Sequence, residues 1–550
     1  MRQKWIVLIL VFLAAITAAA QEGESIRGPW LLCDRSWALS GDSVWFVVAG
    51  APALPGSGNV VHVRLEDHRG DAAGHVMVVT AEGSGMGYLV VPDSLSSGVY
   101  RMRAYTGNRP GGPGVAPVAR LLTVYHRFAE EIPALPGAPG LEFLAPAETG
   151  DGGITVDSDL FSPGDRVSFP VSLPERLRTS EMTVSASLGE APAALKAPYL
   201  IDPPRPDTGF RMLPPEENGF FVEGRVLPAE GIPLPQRSMV LLSIPGEDPW
   251  FDYCFTDPDG YFRFRLKNAF GRGEIFLRAL GDQGQELNVE LASHRKGGVA
   301  PSSDSLLISE EQERFVKEMI EGGGYERLFS GTEQHSGSRL QMEMPGLYPF
   351  YGPPEQRIFP AQFADLPDFV EISRELLPAV RFRGRGTGYS LRIIDNQEKG
   401  WFEKNPLRLI NGIPVFDNSL IYRLKSTDIR YIDIVYRERI FGDISFKGVL
   451  AIMLEKEAET RFLDQEALFK FPLDCLQLPV IPPSSRTGGP TTAGNLPDFR
   501  RVFLFRKVET KEPLHFSFTL SDLKGPVLIK LEGIDSNGLP FEMTRKIMVQ

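Results

Sequence analysis

Hydrophobic and polar positions alternate over short runs along most of this chain. Near the N-terminus, "DSVWFVVAG", "NVVHVRLED", "HVMVVTAEG", "MGYLVVPDS" and "GVYRMRAYTG" follow one another, each ending in Gly, Asp or Ser. Short β-branched and aromatic runs closed by turn residues predict the strands of a β-sandwich. Trp45, Phe46, Tyr100 and Tyr105 are its candidate core. Two stretches share a turn signature: Ser40-Gly41-Asp42 in the first strand set and Ser162-Pro163-Gly164-Asp165 in a second. A third set runs through "GFFVEGRVLPAEGIPLP" to "TDPDGYFRFRL". There Asp257-Pro258-Asp259-Gly260 prescribes a tight turn. Phe262 and Phe264, alternating with Arg263 and Arg265, predict one buried and one wet face. The helical pattern is clearest in "SEEQERFVKEMIE", 309–321, with Ser309 placed to cap it and Gly322-Gly323-Gly324 placed to stop it.

These patterns divide the chain into a series. Residues 1–20 have a basic start, an apolar run and a small-residue exit at Ala18-Ala19-Ala20, which is the form of a signal peptide. Then come sandwiches at 21–127, 140–216 and 217–292, a linker with a short helix at 293–365, an α+β segment at 366–456 and a C-terminal sandwich-like stretch at 457–550. The predicted fold class is mainly β: serial Ig-like or macroglobulin-like β-sandwiches plus one α+β plug-like domain.

Three resemblances stand behind those labels. "SWALSGDSVWFVV" and "LVVPDSLSSGVYRMRAYT" resemble the opening and closing segments of a macroglobulin-type domain. "VEGRV", "GIPLP" and "TDPDGYFRFRL" resemble the carboxypeptidase regulatory-like sandwich. The segment 366–456 resembles the plug domain of TonB-dependent outer-membrane receptors. It has "LPDFVEISRELLPAVRFRGRGTGYSLRIID", the turn Asn411-Gly412-Ile413-Pro414, the step Asp428-Ile429 and the closing "IDIVYRERIFGDISFKGVLAIML". It departs from the plug pattern at Arg437, Glu438 and Arg439, where receptors carry a compact turn. A receptor barrel needs several hundred residues, at ~9–11 per membrane strand plus loops. Only 94 follow Lys456. The resemblance therefore implies a plug-like module without a barrel.

Composition adds limits. Of 550 residues, 55 are Gly and 46 Pro, which favours strands and turns over long helices. A net charge of −12, without a dense basic run, excludes a nucleic-acid binder. Cys33, Cys254 and Cys475 are far apart and read as small buried hydrophobes. None lies in a Cys-Gly-Glu-Gln thioester, and no histidine has Glu three residues on, so neither resemblance brings its family's chemistry. His62, His68 and His75 are spaced as weak metal-ligand candidates, and strand-end, solvated histidines are the expected reading. "GRGTG", 384–388, reads as a β-turn, with Arg381, Arg383 and Arg385 on a solvated strand face.

The sequence thus predicts no catalytic residue, no metal and no cofactor. The expected role is that of a non-enzymatic exported envelope protein in the periplasm, or at the outer membrane or cell surface. It has no transmembrane segment after the signal, and it meets a protein partner, an outer-membrane assembly. The alternative is a periplasmic or surface glycan- or peptide-binding protein. The candidate partner-binding residues are Tyr348, Phe350, Tyr351 and Phe359, in the aromatic and proline-rich "MEMPGLYPFYGPPEQRIFPAQF".

Overall fold

The computed structural model describes Pro29–Gln550 apart from a number of stretches, the longest being 107–117, 190–197, 202–215, 293–304, 330–340 and 483–496. Residues 1–20, read above as a signal peptide, lie outside the described residues, as do Tyr348, His68 and Arg385. The fold is mainly β, and the chain divides into two compact units.

The first unit comprises 1–220, 294–336 and 476–550. Its N-terminal sandwich faces a three-stranded sheet (Trp30–Cys33, Ser43–Ala49, Gly85–Val90) against a larger one built on Asn59–Glu66, Ala72–Thr80, Gly98–Thr106 and Val118–Tyr125. Phe46 and Tyr100 join its core, with Val44, Val61, Val63 and Met102. Trp45 points the other way, onto Phe505 and Ile534.

The strands of 140–216 and 457–550 do not make separate sandwiches. Arg166–Ser172 pairs with Leu514–Thr519, and Glu181–Leu188 lies between Val502–Val508 and Gly525–Ile534. Leu144 and Tyr199–Ile201 extend the N-terminal sheet instead. The cause is burial. Val167, Phe169, Met182 and Val184 make half a core, completed by Phe516, Phe518, Ile529 and Leu531. No alternation pattern within one stretch specifies a partner sheet that far along the chain.

The two Gly-Asp turns share their hydrogen bonds. Asp42 N–H donates to Leu39 C=O at 3.1 Å and Asp165 N–H to Ser162 C=O at 3.1 Å. Each carboxylate accepts from the backbone N–H three residues earlier, Leu39 at 2.9 Å and Ser162 at 2.8 Å. Gly41 and Gly164 take φ of +83° and +81°, a region open to glycine at little cost.

The helix begins as expected: Ser309 Oγ accepts from Gln312 N–H, and the Gln312 side chain accepts from Ser309 N–H. It does not stop at the glycines but runs Glu310–Phe329. Val316 and Met319 enter the core of the second sandwich. A Cβ on Gly323 would sit 2.9 Å from Leu39 Cδ1, and one on Gly322 3.1 Å from Leu523 Cδ2. The glycines let the helix approach the sandwich closely, and tertiary packing overrides their poor propensity.

The second unit comprises 221–293 and 337–475. In its sandwich the Asp257–Gly260 turn forms as expected: the Asp257 carboxylate accepts from Asp259 and Tyr261 N–H, and Gly260 has φ +84°. Phe262 and Phe264 are buried. Lys470–Asp474 pairs with Arg272–Leu280 of that sandwich.

Residues 366–456 form helix Phe369–Leu376, a three-stranded sheet (Val380–Arg383, Ser390–Asp395, Gly400–Trp401) and a five-stranded sheet. The order in the five-stranded sheet is Gln356–Ile358, Ile429–Phe441, Ile444–Leu454, Leu407–Ile410, Ile413–Pro414. The stretch read as an extended connector thus supplies an edge strand, Gln356–Ile358, because Ile358 is buried and its neighbours pair with Ile434 and Asp433. Arg437, Glu438 and Arg439 lie within one arm of a long hairpin, where Lys447 pairs with Glu438 at 2.7 Å.

Candidate interaction surface

Strand Ile429–Phe441 carries Ile432 and Ile434 into the core shared with Phe369, Phe382 and Ile393. Asp433, between them, points to the opposite side and is fully buried. A buried carboxylate is costly unless paired and hydrogen-bonded. Three donors meet that need: Arg357 Nε at 2.6 Å, Arg357 Nη2 at 2.7 Å and the Tyr351 hydroxyl at 2.8 Å. The hydrogen bonds to Asp433 hold the Arg357 guanidinium protonated beyond its ordinary range, although its side chain is 40% exposed. Burial first, and the Asp433 charge second, push the Tyr351 hydroxyl well up.

From that anchor the Arg357 guanidinium lies 4.2 Å from the centre of the Tyr431 ring, a cation–π distance. Phe359 meets Tyr431 edge-on, with centroids 6.2 Å apart and planes at 62°. Phe359 and Phe363 flank one 3-10 turn, Pro360–Gln362, and are 39% and 66% exposed. The result is an exposed aromatic pair, with Tyr431 beside it, on an edge fixed by a bidentate ion pair.

The four sequence-predicted residues divide. Phe359 is exposed and belongs to this surface. Tyr351 is 3% exposed and holds Asp433 from within. Phe350 stacks on Phe251 at 5.1 Å and meets Phe441 at 6.0 Å, so it is packing inside the second unit. Tyr348 is outside the described residues. Sequence reasoning missed Phe363, in the same "FPAQF" string, and Tyr431. The alternation of Tyr431 and Asp433 with Ile432 and Ile434 is the signal that places the first two on one face.

The histidines differ from the solvated reading. His62 is 1% exposed; its Nδ1 is 3.0 Å from His75 Nε2 and its Nε2 is 2.5 Å from Glu216 Oε2. Its ring also lies nearly parallel to Tyr105, at 5.1 Å. The sheet face behind the core is covered, so alternation there separates two buried sides. Among the described residues no group of three or more His, Cys, Asp or Glu side chains forms a metal site. The three cysteines are free thiols, and burial pushes each up to about 12. A small cavity lined by Leu241, Ser243, Phe276, Arg278, Ile413 and Pro414 holds no carboxylate or histidine. No helix of the described residues is long and apolar enough to cross a membrane.

No family model and no curated protein matches the chain. Among solved structures, a mutant of Salmonella alpha-2-macroglobulin is 9% identical, with 94% of this chain and 39% of that one covered, at a TM-score of 0.21. Escherichia coli alpha-2-macroglobulin activated by porcine elastase is 11% identical over 94% of this chain and 43% of that one, at 0.20. The D0-D1 domain of Intimin is 10% identical over 46% of this chain and 89% of that one, at 0.14. The chain spans well under half the length of the macroglobulins it matches, and TM-scores of this size fall short of a common fold.

Proposed function

We propose that this protein is a non-enzymatic, exported envelope protein that holds a protein partner at the outer membrane through the aromatic surface at Phe359, Phe363 and Tyr431. In this reading the sandwiches of the first unit are a spacer, and the plug-like segment serves as a binding module. The observation that carries the reading is the exposed Phe359–Phe363 pair, kept in place by the buried Asp433 and its three donors. Aromatic side chains on a rigid support are the kind of anchor that dominates protein interfaces. The macroglobulin-like and plug-like resemblances of the sequence supply the envelope setting. The glycan-binding alternative is less well supported. Sugar stacking uses ring faces set side by side, and Phe359 and Tyr431 meet at 62°.

The test is a photo-crosslinking amino acid at position 363, in cells that express the full chain, with position 261 as control because Tyr261 is also exposed. A discrete adduct from 363, absent from 261 and lost on Phe359→Ser, is the expected result. The same adducts from both positions would sink the proposal.

A further inference from the structure

The three-stranded sheet of the second unit has one face in the core and one in solvent. Phe382, Leu391 and Ile393 are buried on the inner side. On the outer side Arg381 and Arg392 stand directly opposite each other across the antiparallel pair, and both are exposed. Arg383, exposed, follows two residues along the same face, opposite Ser390. Like charges directly opposed across strands are destabilising, and the usual remedy is a carboxylate beside them. Asp395, at the end of strand Ser390–Asp395, is the acidic residue of that strand. None of the three arginines makes an ion pair among the described residues. The partner that Arg381 does have is aromatic: its guanidinium lies 4.3 Å from the Trp401 ring centre, which holds the side chain in place. This strip of positive charge sits in a chain of net charge −12.

We propose that this face is a docking site for an acidic polypeptide segment in extended conformation, with carboxylates two residues apart. Three features select that occupant. Guanidinium groups match carboxylates in a two-pronged geometry. Arg381 and Arg383 are separated by two residues of strand, roughly 6.6 Å, which is also the same-side spacing of an extended peptide. Strand Val380–Arg383 is the outer strand of its sheet, so an added strand beside it would bring its own side chains opposite Arg381 and Arg383. The site does not involve Phe359 or Phe363, and it stands whether or not the aromatic surface binds a partner.

The experiment uses the full chain and a fluorescein-labelled octapeptide of alternating Glu and Thr, followed by fluorescence anisotropy. A second peptide has the same composition with its four Glu contiguous. Saturable binding of the alternating peptide is expected, weakened at higher salt and about tenfold by Arg381→Gln/Arg392→Gln. An equal loss of charge elsewhere, Arg265→Gln/Lys267→Gln, leaves binding within about twofold, because screening removes distant exposed charges. The arginines are exposed, so the thermal transition of the double variant should not fall. If it does, Trp401→Leu replaces that variant and is expected to weaken binding in the same direction. No binding, equal loss in the two charge variants, equal affinity for the two peptides, or binding confined to vesicles of anionic phospholipid would each overturn the proposal.

Discussion

The turns at Leu39–Asp42 and Ser162–Asp165 have the same glycine conformation and the same carboxylate-to-backbone bond, yet they carry different loads. Asp165 is exposed, and its carboxylate fastens only its own turn. Asp42 is 8% exposed, takes both Arg501 Nη atoms at 2.8 Å, and lies within 3.6 Å of Arg35 and Arg127 nitrogens. Arg501 comes from the entry to the strand Val502–Val508 of the second sandwich, so Asp42 ties the two sandwiches of the first unit together. A second buried tie joins the same two sandwiches. Glu532 accepts from Arg120, from Lys530 at 2.8 Å and from the Tyr199 hydroxyl at 2.6 Å. The comparison teaches that a turn motif specifies a local conformation, whereas the surroundings decide whether its charge becomes a structural tie.

The sharpest way to break the comparison is to remove each carboxylate. Asp42→Ala removes the carboxylate that takes both Nη atoms of the buried Arg501, a change that costs about 3–5 kcal/mol. Asp165→Ala loses an exposed turn bond worth about 0.5–1 kcal/mol. Chemical denaturation of the full chain, following the transition of the first unit, should show that ratio. Equal losses would mean that Asp42 acts only within its turn.

Acid should loosen the Asp42 tie next. Burial works to raise the Asp42 carboxyl, but Arg501 and Arg35 outweigh it and hold it below the ordinary value of 3.8. Burial opposes the shift at Glu532 as well, and Arg120 and Lys530 hold it below 4.5. A folded-state pKa below the unfolded one contributes stability that is complete above the unfolded value and is lost as pH falls through the folded value. The first unit should therefore lose stability as pH drops below about 4. Asp42→Asn should flatten that acid limb. Melting temperatures between pH 7 and pH 2.5 decide the matter.

The smallest difference between the two turns sharpens the likeness instead. Gly41→Ala and Gly164→Ala both force a Cβ into a left-handed conformation, at about 1–2 kcal/mol each. A marked difference between them would show that one turn is less constrained than its hydrogen bonds imply.

Much of the fold was legible where local chemistry decides it. The Asp257–Gly260 turn, the alternation of Phe262 and Phe264 and the Ser309 cap all rest on neighbours within a few residues. The helix end was not, because Leu39 and Leu523, far along the chain, make Gly322 and Gly323 useful inside it. The pairing of Glu181–Leu188 with C-terminal strands was equally hidden, since a strand's pattern shows which face is buried and not which strand lies beside it. The candidate surface was half visible. "FPAQF" marked the aromatics, but the burial of Tyr351 follows from Asp433, some eighty residues later.

Strand Glu181–Leu188 is flanked on both sides by strands that begin only at Val502 and Gly525. On a growing chain, at about 5–20 residues per second, it would wait on the order of half a minute for its neighbours. During that time its two edges are unpaired, and the apolar row Met182, Val184, Ala186 and Leu188 lacks Phe516, Phe518, Ile529 and Leu531. Such an edge is an invitation to pair with another chain. The second unit, 221–293 and 337–475, is synthesised within that interval. Biogenesis of this protein therefore has a built-in vulnerable period. A chaperone that shields extended apolar segments should matter more for its yield than for its finished stability.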